Sequence, residues 1–152
     1  METLSSSHGF RLDDSFLFWL GRASHELQES FNRNLADTDV TWPQWMVMNV
    51  LYHQIAQTPA QVADYLGIDR SAVTRLADRL AKKGLLERKQ DGVDRRCVQL
   101  CLTPRGSRII FTLNQQADEH QRRLNTSLGT DNVVALNGQV RVLLKQLGVE
   151  PH

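Results

Sequence analysis

The stretch "KQDGVDRRCVQL", residues 89–100, joins a turn signal to two adjacent fixed cations. Asp91-Gly92 is the dipeptide that most strongly indicates a short β-hairpin, and strand candidates lie on either side of it at 85–90 and 97–102. A tight turn needs only small polar residues, so the two arginines that follow Asp94 require a different explanation.

Taken with the pair of helices that precedes them in the sequence, the arginines indicate contact with a nucleic acid. Arg96 is expected to enter the minor groove of a DNA duplex, because narrow A·T-rich grooves have an enhanced negative potential. Asp94, two residues earlier, is expected to accept a hydrogen bond from the Arg96 guanidinium and hold it extended, which limits the rotamer entropy lost on binding. Arg95 and Lys89 are expected to touch the DNA backbone. The alternative is a surface turn with a weak ion pair.

The segment 69–83 carries a second set of polar and cationic residues. Asp69 can cap a helix that Gly84 stops. Serine and threonine bond phosphates or base edges, and arginine can bind guanine O6 and N7 with two hydrogen bonds. The outward residues of this helix, expected to contact DNA, are Arg70, Ser71, Thr74, Arg75 and Arg79, with Lys82 and Lys83 adding to the phosphate field. A merely solvated helix face is the alternative.

The residues before this helix predict a helix-turn-helix. Ala63 is small where two helices approach, Gly67 allows a positive φ in the turn, and Val73 anchors the second helix. An ordinary pair of helices with a glycine corner is the alternative. A helix-turn-helix followed directly by a two-stranded ribbon is a winged helix, in which the ribbon tip reaches the groove beside the recognition helix.

The other elements are mostly helical. Apolar residues recur every three or four positions over 13–35, and Thr41 and Thr58 begin helices with glutamine three residues later, as in a capping box. A third Thr-Pro start at 103 opens a helix, and "GTDN" at 129–132 precedes a last one. The expected fold class is mostly α with a small β-hairpin wing, in the order four helices, hairpin, two helices.

Charge is distributed unevenly in the 152-residue chain, whose net charge is +1. Residues 70–108 hold eleven Lys or Arg and four Asp or Glu, and the remainder is net acidic. This pattern favours a polyanion-binding segment on a neutral body. We expect a single domain over 1–152, with no signal peptide and no membrane span, and therefore a cytoplasmic protein. No nucleophile–base pair or phosphate loop indicates an enzyme.

The cysteines and histidines indicate no metal centre or cofactor. Cys97 and Cys101 lie four apart on one face of a strand candidate, so they cannot bridge and are expected to be small buried hydrophobes. The histidines His25, His53 and His120 have no metal-ligand spacing.

The segment 58–106 resembles the MarR/SlyA family of bacterial transcription regulators, through its helix-turn-helix, the wing "DGVDRR" and the following Leu-Thr-Pro-x-Gly. The resemblance implies a winged-helix homodimer on a pseudo-palindromic operator, usually a repressor released by a small molecule or an oxidant. Asp94 and Arg96 match the family's wing pair. It also implies a DNA-binding lobe over about 41–104, with dimerisation helices over about 12–36 and 105–148.

The sequence says less about which small molecule releases the protein from DNA than about the DNA contacts. Residues on helices that could line a family-type crevice, and would suit an aromatic carboxylate, are Trp19, Arg22, His25, Trp45 and Tyr52. Core packing of the aromatic residues is the alternative. A redox response through Cys97 and Cys101, or a winged helix used to bind proteins, remain competing functions.

Overall fold

The computed structural model describes residues 9–94 and 96–151, which form six α-helices and one antiparallel hairpin. Short 3₁₀ turns, Leu12–Asp14 and Ala36–Thr38, flank the first helix. The order confirms the predicted fold class. The elements are α1 (Phe16–Asn34), α2 (Trp42–Tyr52), α3 (Pro59–Leu66), α4 (Arg70–Lys82), β1 (Leu86–Gln90), β2 (Val98–Leu102), α5 (Pro104–Leu128) and α6 (Thr130–Gln146).

Side chains cap the helix starts as the sequence predicts. Before α3, Thr58 Oγ1 accepts a hydrogen bond from Gln61 N at 3.2 Å, and Gln61 Oε1 accepts one from Thr58 N at 3.1 Å. Before α2, Gln44 Oε1 accepts from Thr41 N at 3.3 Å. These bonds satisfy amide groups that have no partner within the helix, and so fix where each helix begins.

The turn between α3 and α4 has the predicted helix-turn-helix geometry. Gly67 adopts a left-handed conformation with φ 65°, which glycine accepts at little cost. The next amide, Ile68 N, donates to Ala63 O at 3.1 Å and closes the end of α3. Ala63 is buried, as expected for the close approach of the two helices.

The core lies where α2, α3, α4, the hairpin and the first half of α5 meet. From α4 it takes Val73, Ala77 and Leu80, which have no exposed surface. The neighbouring elements add the fully buried side chains of Leu35, Val47, Met48, Val62, Leu100, Ile110 and Leu113. The core therefore fixes which face of α4 points outward.

The strands of the hairpin are held to the rest of the fold, and the loop that joins them is longer than predicted. β1 and β2 pair from Leu86 opposite Leu102 to Gln90 opposite Val98. Leu100 N also donates to Gln57 O at 2.8 Å, which ties β2 to the segment before α3. The loop spans 91–97, so Asp91-Gly92 does not form a two-residue turn; Asp91 N instead donates to Cys97 O at 2.9 Å.

Two boundaries differ from the sequence pattern. The apolar pattern of α2 continues to Ile55, but the helix ends at Tyr52, and Gln54 has a left-handed φ of 55°. α5 includes the charged segment as expected and ends at Leu128, but α6 begins at Thr130, inside the 129–132 stretch that was expected to precede it; only Gly129, with φ 86°, lies between the two helices.

α1, α5 and α6 leave much apolar surface uncovered. Among the described residues, α1 buries only Phe31 and α6 only Val133. No helix in the described ranges is long and apolar enough to cross a membrane. The exposed apolar side chains on these helices, and at the C-cap of α6, include Phe16, Leu17, Phe111, Val134, Leu136 and Leu147.

We predict that Gly106→Ala destabilises the fold by about 1–3 kcal/mol, the range for overpacking. A Cβ at Gly106 would lie 2.0 Å from Leu85 O, so either α5 or the backbone before β1 must shift. Urea denaturation at one protein concentration checks this. The control is Gly138→Ala in α6, where a Cβ meets nothing within 4 Å. Equal midpoints for Gly106→Ala and the unaltered protein would contradict the prediction.

Candidate nucleic-acid interface

The outward face of α4 presents the predicted recognition residues together. They alternate with the buried stripe because a helix repeats every 3.6 residues. Thr74 Oγ1 donates to Arg70 O at 3.1 Å, so this hydroxyl is held by the helix backbone. The exposed predicted residues are Arg70, Ser71, Thr74, Arg75 and Arg79.

An ion pair that the sequence analysis missed joins the hairpin to this helix. Arg88 Nη1 on β1 lies 2.7 Å from Asp78 Oδ1 on α4, and Arg88 Nη2 donates to Thr74 O at 3.4 Å. The pair is partly exposed, so its contribution to stability is small. It nevertheless pairs the one carboxylate on the outward face of α4 with a cation and links α4 to β1. The sequence signal was a lone aspartate among the arginines of α4.

Lys83, expected in the phosphate field, has a different role. Its ammonium group donates to Asp39 O and, at 3.0 Å, to Gln44 Oε1, and it lies 3.5 Å from Asp39 Oδ2. Gln44 is buried, and Lys83 gives its side-chain oxygen a second donor beside Thr41 N. Lys83 therefore joins the end of α4 to the turn between α1 and α2, and only Lys82 of this pair is exposed.

The hairpin loop is ordered by two aspartates. Asp91 Oδ1 accepts from Val93 N at 3.1 Å, and Asp94 Oδ1 accepts from Arg96 N at 2.9 Å. In the described part of this DNA-free loop, Asp94 does not contact the Arg96 guanidinium as predicted and instead bonds to the Arg96 backbone amide. A carboxylate reaches the amide two residues later without ordering a long side chain, so the backbone contact is preferred. Arg95 lies outside the described residues.

Lys89, the other predicted wing cation, is paired along its own strand. Its Nζ lies 3.0 Å from Glu87 Oε1. The hydrogen bond to Glu87 raises the pKa of Lys89 above its ordinary value. Lys89 is exposed on the strand that leads to the loop, and its ammonium group remains accessible to solvent.

The cysteines occupy different environments. Cys101 is half-buried on β2, but Cys97 is exposed in the loop, with Sγ 3.8 Å from Asp94 Oδ2. The prediction of a buried Cys97 is wrong because β2 begins one residue later, at Val98, and the strand alternation does not reach it. In the described ranges, no cluster of three His, Cys, Asp or Glu residues could hold a metal ion.

A cavity of about 390 Å³ lies between α1, α2 and α5. Its aromatic wall includes Phe31, Trp42, Trp45 and His120, with the Phe31 and Trp45 ring centroids 5.1 Å apart. Burial lowers the pKa of His120 below its usual value, and the charge of Arg123 lowers it further, so the imidazole is neutral at neutral pH.

Of the five predicted effector residues, only Trp45 lines this cavity, where its Nε1 donates to Asn114 Oδ1 at 3.1 Å. The cavity face of α1 carries positions 20, 23, 24, 27, 28 and 31, and the other predicted α1 residues lie off that face. Trp19 Nε1 donates to Asp13 O at 2.7 Å, and Tyr52 packs on His53 beyond the cavity. Arg22 and His25 are exposed to solvent.

Comparisons with known proteins agree with this geometry. Residues 40–98 match the MarR family model. The multiple antibiotic resistance protein MarR of Escherichia coli (strain K12) is 31% identical over 131 residues, which cover 82% of this chain and 90% of that protein. The organic hydroperoxide resistance regulator of Bacillus subtilis (strain 168) is 25% identical, covering 79% and 88%.

The fold of a solved DNA complex is also similar. The transcriptional repressor CouR, bound to a 23-mer DNA duplex, superposes with a TM-score of 0.79 at 28% identity, covering 87% of this chain and 94% of CouR. Helix-turn-helix, wing and flanking helices are thus those of a family of DNA-binding regulators rather than enzymes. The chain belongs to the MarR family of winged-helix transcriptional regulators.

Proposed function

We propose that the chain is a homodimeric repressor that binds a pseudo-palindromic operator in the cytoplasm and is released by a small aromatic ligand. The observation that supports the proposal is the row of exposed cationic and hydroxyl side chains on the outer face of α4, which the buried Val73, Ala77 and Leu80 orient. The hairpin lies beside this face, and the partly exposed ion pair between Arg88 and Asp78, 2.7 Å apart, joins the two elements. The DNA complex of CouR supports the same use of the fold.

In this proposal the first turns of α4 lie in the major groove. Arg70, Ser71, Thr74 and Arg75 contact base edges, and Arg79 contacts phosphate. A good arginine–guanine pair with two hydrogen bonds discriminates against the wrong base by about 1–3 kcal/mol. The exposed ammonium group of Lys89, and Arg95 by its position in the sequence, supply phosphate contacts at the wing.

The hairpin loop brings Arg96 to the adjacent minor groove. Asp94 acts indirectly, because its carboxylate fixes the backbone from which the Arg96 side chain extends. An ordered backbone reduces the entropy lost when the arginine is immobilised in the groove.

The uncovered apolar surface of α1, α5 and α6 supports a homodimer. A single helix-turn-helix reads a short half-site, and a twofold pair places two recognition helices about 34 Å apart, one turn of DNA. The exposed side chains of Phe16 and Leu147, at opposite ends of the chain, are 64% and 69% exposed. Covering them with a second copy would bury apolar surface that a monomer leaves in water.

The cavity supports a ligand-controlled step and changes its expected chemistry. An aromatic carboxylate was expected from Arg22, but among the described residues no charged side chain lines the cavity. Its polar groups are neutral, namely His120, Gln28, Gln121 and Ser24. A neutral aromatic molecule is therefore the better fit, because burying a carboxylate without a cationic partner is costly.

Release of the protein from its operator would follow if the ligand changed the populations of two conformations of the dimer. The cavity is bounded by α1 and α5, which carry the apolar dimerisation surface, and by α2, which packs on α4. A ligand that binds better when the two recognition helices are spaced wrongly for the operator lowers DNA affinity by that difference in binding free energy.

We predict that Arg96→Ala weakens DNA binding by about 1–3 kcal/mol without changing the dimer. Asp94→Ala should also weaken it, although a negative charge is removed, because the loop backbone loses its hydrogen bond to the Asp94 carboxylate. A mobility-shift assay at moderate salt checks both, on a duplex selected from a random pool by the unaltered protein. The matched control is Asp64→Ala on α3, which is exposed and removes the same charge. Tighter binding by Asp94→Ala would refute the positioning role.

We predict that the double substitution Leu136→Glu and Val140→Glu produces monomers. Both side chains are exposed on one face of α6, one turn apart, and two carboxylates at a dimer interface would be desolvated. Light scattering after gel filtration measures the mass. The control is Ile55→Glu, an exposed apolar residue of the α2–α3 connection. A double variant that stays dimeric contradicts the proposed interface.

We predict that benzamide, a neutral probe, binds the cavity more tightly than benzoate of the same size. Quenching of tryptophan fluorescence measures both, since Trp42 and Trp45 line the cavity. Ala117→Phe fills the cavity and should abolish the response while DNA binding persists. Tighter binding of benzoate would show that a cation reaches the site.

A further inference from the structure

Resting on the DNA-binding role proposed above, we propose that Val93 is a further contact residue of the wing. Its apolar side chain packs against the deoxyribose wall of the minor groove beside Arg96. The wing then reads the shape of the groove through Val93 as well as its negative potential through Arg96.

The first support is the exposure of Val93. Its side chain is 97% exposed, the highest value among the large apolar side chains that the structure describes. Single exposed apolar residues are common and need no explanation by themselves. Val93, however, lies at the tip of the loop that carries Arg96, after Gly92, which has no side chain to shield it.

The second support is the order of the loop around Val93. Asp91 Oδ1 accepts a hydrogen bond from Val93 N at 3.1 Å, and Asp91 N donates to Cys97 O at 2.9 Å. Cys97 N in turn donates to Asp94 O at 2.9 Å. The two aspartates therefore bracket Val93, and the hydrogen bonds hold its backbone in the position that exposes it.

The third support is chemical fit. The walls of the minor groove are the C–H faces of deoxyribose, and apolar side chains are known to enter this groove. Valine is branched at Cβ and has few rotamers, so it loses little entropy when it packs. The Val93 side chain cannot bind phosphate, so its contribution to the binding free energy does not depend on salt, unlike that of an arginine.

The test is the affinity of Val93→Ala, measured by fluorescence anisotropy at several NaCl concentrations on the selected duplex. We expect binding to weaken about three- to tenfold, because two partly buried carbon groups are each worth up to a factor of about four. The slope of log affinity against log salt should stay unchanged, because no phosphate contact is lost. Val93→Thr, which keeps the branched shape and one methyl group, should fall between Val93→Ala and the unaltered protein.

Hydroxyl-radical footprinting gives an independent readout, because these radicals attack deoxyribose. Val93→Ala should expose the one or two sugars that the wing protects and leave the rest of the footprint unchanged. An unchanged affinity, a flatter salt slope or an unchanged footprint would each overturn the inference. If Arg96→Ala still weakens binding in that case, the DNA-binding role stands without Val93. If the unaltered protein selects no duplex, the proposed function itself fails.

Discussion

The orientation of α4 depends on the burial of Val73, Ala77 and Leu80, none of which has exposed surface. These three side chains fix the rotation of the helix about its axis, so the arginines, serine and threonine between them must face outward. A rotation by one residue, about 100°, would bury Thr74 and expose Val73. The left-handed Gly67 sets the direction from which α4 enters, with φ 65°. The DNA contacts proposed for this face therefore depend on the apolar packing behind it.

Two polar contacts extend this constraint to the rest of the chain. Arg88 joins α4 to the hairpin, and Lys83 joins the end of α4 to Asp39 and the buried Gln44, next to the start of α2. Both ion pairs are partly exposed, so they contribute little stability and add to the positions that apolar packing has already set. Through them the recognition helix is connected both to the wing and to the helices around the aromatic cavity. A ligand bound between α1, α2 and α5, as proposed, would contact elements that touch α4 directly or through one residue.

Local signals in the sequence predicted the elements well. The capping boxes at Thr41 and Thr58, the glycine at 67 and the apolar stripe of α4 each act within a few residues, so spacing alone identifies them. The hairpin tip was less predictable, because Asp91-Gly92 indicates a two-residue turn whereas the carboxylates of Asp91 and Asp94 stabilise a longer loop. Contacts across the fold, Arg88 with Asp78 and Lys83 with Asp39, have no spacing signal. The lining of the cavity was not predictable, because the sequence shows that α1 is helical but not which of its faces meets α5; Arg22 and His25 do not line it.

The central claim is that α4 and the hairpin tip occupy adjacent grooves of one duplex. Dimethyl sulfate footprinting tests it most directly, because the reagent methylates guanine N7 in the major groove and adenine N3 in the minor groove. On a selected duplex that has both bases across the site, we expect two patches of protected guanine N7 about one turn apart, each flanked by protected adenine N3. Protection confined to one groove would contradict this claim. So would a complete lack of protection on a duplex that the protein binds.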